Sequence, residues 1–265
     1  MPEKPSFIKK TPVENECKRP EPVGIRIIGE LDPSVMTLEE FERSSDLLFH
    51  GSLRPMNFLS EFDYRSRDYL LDNDGSTTLG FGFYATASKQ EASHYSLIRQ
   101  GNKTGAQPIV ISILPYQARV LDLRSKDDLT KNASISREFA NKWRAKFLDY
   151  LKIKLPRKGN DGTMIDEIEA EYALYIDRVL VLDEIDLRVL LETAPASEVK
   201  SRNMPSPSWT VLFSDFMREE GYDGLIYNEG SEGKEREGGA SYVFFNLQKI
   251  GTYESWHKRR NTHNT

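Results

Sequence analysis

The sequence predicts an α+β domain interrupted by a helical insertion. Three observations carry this. Short runs rich in β-branched and aromatic residues lie toward both ends of the 265-residue chain. A long stretch with four-residue apolar periodicity separates them. The strict strand–helix alternation of a doubly wound sheet is missing, as are a Walker loop and a dinucleotide-type GxGxxG.

Residues 1–35 are expected to be a flexible N-terminal tail, rich in Pro, Lys and Glu at its start, with GIRIIGEL (24–31) its one strand candidate. The main domain then covers 36–256. TLEEFERSS (37–45) opens with Thr37 and has Glu40 three residues on, a capping box for a short helix. LLFHGS (47–52) reads as a buried strand running into a turn, and GFYAT (82–86) as a second strand. Ser88 and Glu91 make another capping box, starting a helix through SKQEASHYSLIRQ. PIVISIL (108–114) and ARVLDL (118–123) are further strands.

The helical insertion is placed at about 124–205. Phe139, Trp143, Phe147 and Leu151 recur every four residues, an apolar stripe on one long helix. Residues 137–158 carry eight Lys/Arg against two acids, and residues 161–193 carry ten acids against two arginines. The basic block suits either a nucleic-acid or acidic partner or an acidic helix packed beside it. After PSPS, WTVLFSDFMREEG is an amphipathic helix with Gly221 as its C-cap. DGLIYN (223–228) and SYVFFN (241–246) complete the strands, joined by the polar EGSEGKEREGGA, and 257–265 is expected to be a C-terminal tail.

A formal net charge of −5 argues against a generic polyanion binder. With the single cysteine Cys17, no intrachain disulfide or thiolate metal cage forms, so no metal is expected. No run reaches membrane-spanning length, and the N-terminus lacks the apolar core of a secretory signal. A cytoplasmic protein, or one delivered into a target-cell cytosol, is expected.

His50 is the one histidine at the end of a buried strand, followed by Gly51 and Ser52. Together with GFGFY (80–84), Tyr95 eleven residues beyond Tyr84, NFLSEFD between these motifs, and GYDGLIY…SYVFFNLQKI near the end, it resembles the diphtheria-toxin-like ADP-ribosyltransferases. This class includes the poly(ADP-ribose) polymerases and many bacterial and phage mono-ADP-ribosyltransferases. The resemblance covers about residues 46–124 and 207–256. It implies a split β-sandwich core, NAD as co-substrate, and a toxin, effector or defence role.

By that resemblance Tyr84 and Tyr95 sandwich the nicotinamide ring, whose cationic face suits aromatic π-clouds. Gly51 holds the carboxamide through its backbone, His50 binds a ribose hydroxyl, and Ser52 supports it or the adenosine side. Phe83, adjacent to Tyr84 on a strand, must then point into the core. The sequence departs from the family at Ser241, where a catalytic glutamate usually stands. Glu235 or Glu237 in the preceding loop is a candidate replacement. Without the glutamate, chain elongation is not expected, so the activity implied is mono-ADP-ribosylation of a protein or nucleic-acid acceptor. The alternative is a weak or inactive module that binds NAD or ADP-ribose and acts through a partner, for which the insertion offers a surface. An RNA 2′-phosphotransferase needs a second pocket histidine, and His94 is a poor candidate for it.

Overall fold

The computed structural model describes residues 24–52, 79, 82–100, 107–125, 132–154, 174, 176–182, 184–192, 209–228 and 240–263, apart from a few side chains at helix ends. Its strands are β1 (Gly24–Ile28), β2 (Leu48–Ser52), β3 (Phe83–Thr86), β4 (Ile109–Pro115), β5 (Ala118–Asp122), β6 (Gly224–Asn228), β7 (Ala240–Phe244) and β8 (Ile250–Gly251). The helices are α1 (Leu38–Glu42), α2 (Lys89–Gln100), α3 (Arg137–Lys154), α4 (Leu187–Glu192), α5 (Trp209–Glu219) and α6 (Tyr253–His263).

The strands form one mixed sheet in the order β1-β5-β6-β7-β3-β2-β4-β8, antiparallel except between β5 and β6. β4 and β5 follow each other in the chain, yet they lie toward opposite ends of that order. Only Tyr116 and Gln117 separate them, and Gln117 takes a left-handed φ of 44°. A two-residue link reaches between the ends of the sheet only if the sheet curls. The corner is pinned where the ends meet. The Tyr116 N–H donates to the Lys249 carbonyl and the Gln117 N–H to the Gly29 carbonyl, each at 2.8 Å. Gly29 has φ 74°, and a side chain there would strike the Pro115 carbonyl.

Curling gives the sheet an inner and an outer face. Ile28, Leu48, Phe83, Ile113, Val120, Ile226, Phe244 and Ile250 fill the inside, one from each strand. The alternate residues Leu225, Tyr227 and Val243 face outward and share a core with Trp143, Phe147, Phe213 and Phe216 from α3 and α5. Phe139, Trp143 and Phe147 of the predicted stripe therefore lie on the buried face of α3, with Trp143 edge-on to Phe213 at 5.2 Å, while the side chain of Leu151 lies outside the described residues. Burying a large ring stabilises by about 2–3 kcal/mol. That outweighs much of the cost of the Trp143 indole N–H, which is buried without a partner.

Several expectations change. Among the described residues, the expected 1–35 tail is structured from Gly24 onward: β1 pairs along its whole length with β5, and Thr37 and Glu40 form the predicted capping box just beyond. The expected 257–265 tail is helical as far as His263. Trp256 anchors it by donating its indole N–H to the Leu114 carbonyl, and Tyr253 packs edge-on to Phe41. Within the expected 124–205 insertion, the described helices α3 and α4 contribute buried side chains to the same core as β6 and β7. The Gly221 C-cap is present, with φ 82° and the Tyr222 N–H reaching back to the Met217 carbonyl.

The basic helix also has its partners. Lys142 pairs with Glu220, Lys146 with Glu219, and Arg144 with Asp177. Two of these carboxylates, Glu219 at the end of α5 and Glu220 just after it, lie outside the acidic block that the sequence set beside it. The complementary-face reading of the basic block accounts for these three cations.

Candidate functional site

β2 pairs with β4 at every residue from Leu48 to Ser52, but with β3 only at Phe49, opposite Thr86. Continuing the β3 ladder would set His50 against Ala85 and Gly51 against Tyr84, and neither pair forms. The sheet parts at His50. There the imidazole replaces the missing backbone pairing: its Nδ1 lies 2.6 Å from the Tyr84 carbonyl. A carbonyl only accepts, so Nδ1 carries the proton, and Nε2 is the acceptor of the uncharged ring. Phe83 fixes the ring from its other side, with centroids 4.3 Å apart.

Backbone alternation then gives the direction of Gly51. The Tyr84 carbonyl faces β2, while the Ala87 N–H turns the other way, to the Ala240 carbonyl on β7. Even-numbered residues of β3 therefore present their main chain to β2. Phe49, opposite Thr86, presents its own main chain to β3, and Gly51, two residues on, faces the same way into the parting. One residue thus offers a donor and an acceptor side by side, the complement of a primary carboxamide. Gly51 must be glycine for a second reason. Its Cβ would collide with the Ala92 carbonyl oxygen, because α2 lies directly on β2.

That collision also shows that α2 covers the outer face. Phe83 lies in the inner core with no exposed surface, and Tyr84 is half-buried on the outer side, as strand alternation predicts. Tyr95 is 36% exposed on α2. Tyr84 and Tyr95 thus flank the parting on its outer side, one from the sheet and one from the helix. The Tyr84 hydroxyl accepts from the Leu79 N–H at 3.3 Å. Ser52 is buried at the end of β2, opposite Ile109. His94 sits edge-on to Tyr95, with centroids 6.4 Å apart.

Ser241 is the second residue of β7, between β3 and β6, directly across from Thr86 and from Tyr227. It is 3% exposed and outward-facing, since Ala240 and Tyr242 belong to the inner core. Glu235, Glu237 and the NFLSEFD segment lie outside the described residues. Asn228, the last residue of β6, is held by Asn132. Its Oδ1 accepts the Asn228 N–H at 2.7 Å and its Nδ2 donates to the Asn228 carbonyl at 3.2 Å, in the manner of an extra strand residue.

Sequence reasoning gave Glu91 a helix-capping role, and the structure gives it a different one. Ser88 does accept the Glu91 N–H, at 3.2 Å, as half of a capping box. The Glu91 carboxylate, however, accepts the Thr86 hydroxyl at 2.5 Å, and the Ser88 N–H turns to the Thr86 Oγ1 at 3.1 Å. A carboxylate is thereby tied to the residue facing Ser241. The spacing of Thr86 to Glu91 across a strand–helix turn was the available signal; the pairing of Thr86 with Ser241 needs the tertiary fold.

Among the described residues no group of three or more His, Cys, Asp or Glu is placed to hold a metal ion, and no helix is long and apolar enough to cross a membrane. Compared with protein-family models, curated proteins and solved structures, the chain matches none.

Proposed function

We propose that the chain is an NAD-dependent mono-ADP-ribosyltransferase with a split β-sandwich core, transferring ADP-ribose from NAD to a protein or nucleic-acid acceptor and releasing nicotinamide. The observation that carries this reading is the parting of β2 from β3, with the His50 imidazole on the Tyr84 carbonyl and the Gly51 main chain turned into the gap. The carboxamide of nicotinamide lies against Gly51, between the faces of Tyr84 and Tyr95. The His50 Nε2 accepts from a ribose hydroxyl.

The bond between nicotinamide N1 and ribose C1′ breaks with its electron pair going to the ring, which leaves uncharged. The cationic sugar is captured by a lone pair of the acceptor, which then releases its proton to water. Rings that attract the pyridinium hold it in place for departure. Thr86 and Ser241, both buried, and the half-buried Glu91 form a polar cluster on the same outer face of the sheet as Tyr84.

A second reading rests on Ser241, whose uncharged hydroxyl cannot supply what a glutamate would: the chain binds NAD or ADP-ribose without turnover and acts through a partner. The test is transfer of label from adenylate-labelled NAD into a cell lysate, followed by protease or nuclease. Label released by either enzyme supports transfer and names the acceptor class. Saturable NAD binding with neither label transfer nor nicotinamide release supports the binding module. Absence of both binding and transfer overturns the proposal.

A further inference from the structure

We infer that Glu91 supplies the negative charge that Ser241 lacks, through a Thr86–Glu91 pair set opposite Ser241 on the outer face of the sheet; this rests on the donor-site reading above. Three independent placements support it. Thr86 and Ser241 are in-register partners on adjacent antiparallel strands, so their side chains leave the same face of the sheet a few ångströms apart. Both are buried, at 3% exposure each. The Thr86 hydroxyl donates to the Glu91 carboxylate at 2.5 Å, a distance typical of a charge-assisted hydrogen bond. Glu91 also lies four residues before Tyr95 on α2, so the two occupy one helix face, one turn apart.

The arrangement is rigid for a reason visible in the chain. The Ser88 N–H donates to the Thr86 Oγ1 and the Ser88 Oγ accepts the Glu91 N–H, so strand end, turn and first helical turn are locked together. A carboxylate held in this way meets the requirement for electrostatic stabilisation, a charge fixed in place before the reaction begins. When the N1–C1′ bond breaks and the electron pair leaves with nicotinamide, positive charge grows on the ribose. Glu91 stabilises that charge, and Ser241 contributes a hydroxyl to the ribose. The acceptor lone pair then forms the new bond to C1′ and its proton passes to solvent. The donor site is thus the same, with its carboxylate carried on α2 in place of β7.

The experiment measures nicotinamide release and NAD binding for the full chain and its Glu91→Gln, Glu91→Asp and Glu91→Gln/Ser241→Glu variants. Glu91→Gln keeps size and hydrogen-bonding capacity but removes charge. Its kcat is expected to fall roughly 100-fold with the Kd for NAD changed by less than about threefold. Adding Ser241→Glu to Glu91→Gln should restore at least about tenfold of the lost rate, which a purely structural cap would not do. Glu91→Asp retains charge and reports on the site should Glu91→Gln fail to fold; it is expected to exceed any neutral substitution in rate.

Full turnover in Glu91→Gln overturns the inference, as does loss of turnover in Glu235→Gln or Glu237→Gln with Glu91→Gln unaffected. A parent chain that binds NAD but releases no nicotinamide also overturns it, while leaving the donor site in place. A parent chain that neither binds nor cleaves NAD overturns the donor-site reading and this inference with it.

Discussion

His50 Nδ1 donates to the Tyr84 carbonyl across the point where β2 leaves β3. One hydrogen bond therefore sets the imidazole tautomer and holds the first half of the site against the second. His50→Asn is the informative change, because an asparagine amide can donate near the Nδ1 position while nothing replaces Nε2. The variant is expected to keep its unfolding midpoint and lose about 100-fold in kcat/KM for NAD, equivalent to roughly 2.7 kcal/mol. His50→Ala should lose both, since it also removes the donor to the Tyr84 carbonyl. Melting curves and nicotinamide release separate the two effects.

Gly51 bears a steric requirement that is independent of any ligand. Its Cβ would meet the Ala92 carbonyl, which belongs to a helix backbone and cannot swing aside. Gly51→Ala is expected to push α2 off β2 and destabilise the fold by about 1–3 kcal/mol. NAD binding should fall further than the stability loss explains, because Tyr95 moves with the helix. Denaturant unfolding and NAD titration of the same sample check both.

Asp122 provides the pH dependence. Burial alone would raise its carboxyl pKa, but the hydrogen bonds and charge of Arg124, with Arg26 beyond, lower it below the ordinary aspartate value. A carboxyl lowered on folding contributes stability at neutral pH, and this is lost as pH falls through the native pKa. Arg124→Met leaves burial to dominate, so the Asp122 pKa should rise. Protonating Asp122 then relieves a buried charge, so this variant should be less stable than the parent at neutral pH, and the difference should shrink as pH falls through the acid range where ordinary carboxylates titrate. Thermal melts between about pH 3 and pH 7 bracket that range.

The helical layer and its charges should behave very differently under mutation. Trp143→Ala removes a fully buried ring from the core shared with the sheet and is expected to cost about 3–5 kcal/mol. Lys146→Glu disrupts a bridge to Glu219 that is largely in solvent, and should cost less than about 1 kcal/mol. If the basic face of α3 also binds nucleic acid, Lys146→Glu will weaken that binding in a salt-dependent manner; if pairing with α5 is its whole role, it will not.

Much of the fold was legible because the local signals were strong. Strand alternation alone separated Phe83 from Tyr84, and four-residue spacing placed Phe139, Trp143 and Phe147 on the buried side of α3. What could not be read depended on long-range pairing. GIRIIGEL was legible as a strand but its place in the sheet was not, and 257–265 looked like a tail because little in it is apolar and periodic; β1 is held by β5, and α6 by Leu114 and Phe41. The partners of Lys142 and Lys146 were misplaced because charge blocks along a chain do not say which helices touch. Glu91 was read as a cap because Ser88 at its proper spacing satisfies that rule. Only the strand register reveals that the carboxylate serves Thr86 and, through it, the surroundings of Ser241.

The most direct measurement is nicotinamide release from NAD by the purified full chain, run beside His50→Asn at matched folded concentration. Release by the parent, reduced about 100-fold in the variant, is the predicted result. Equal release by both, or no binding and no release by the parent, would contradict a donor site built at the parting of β2 and β3.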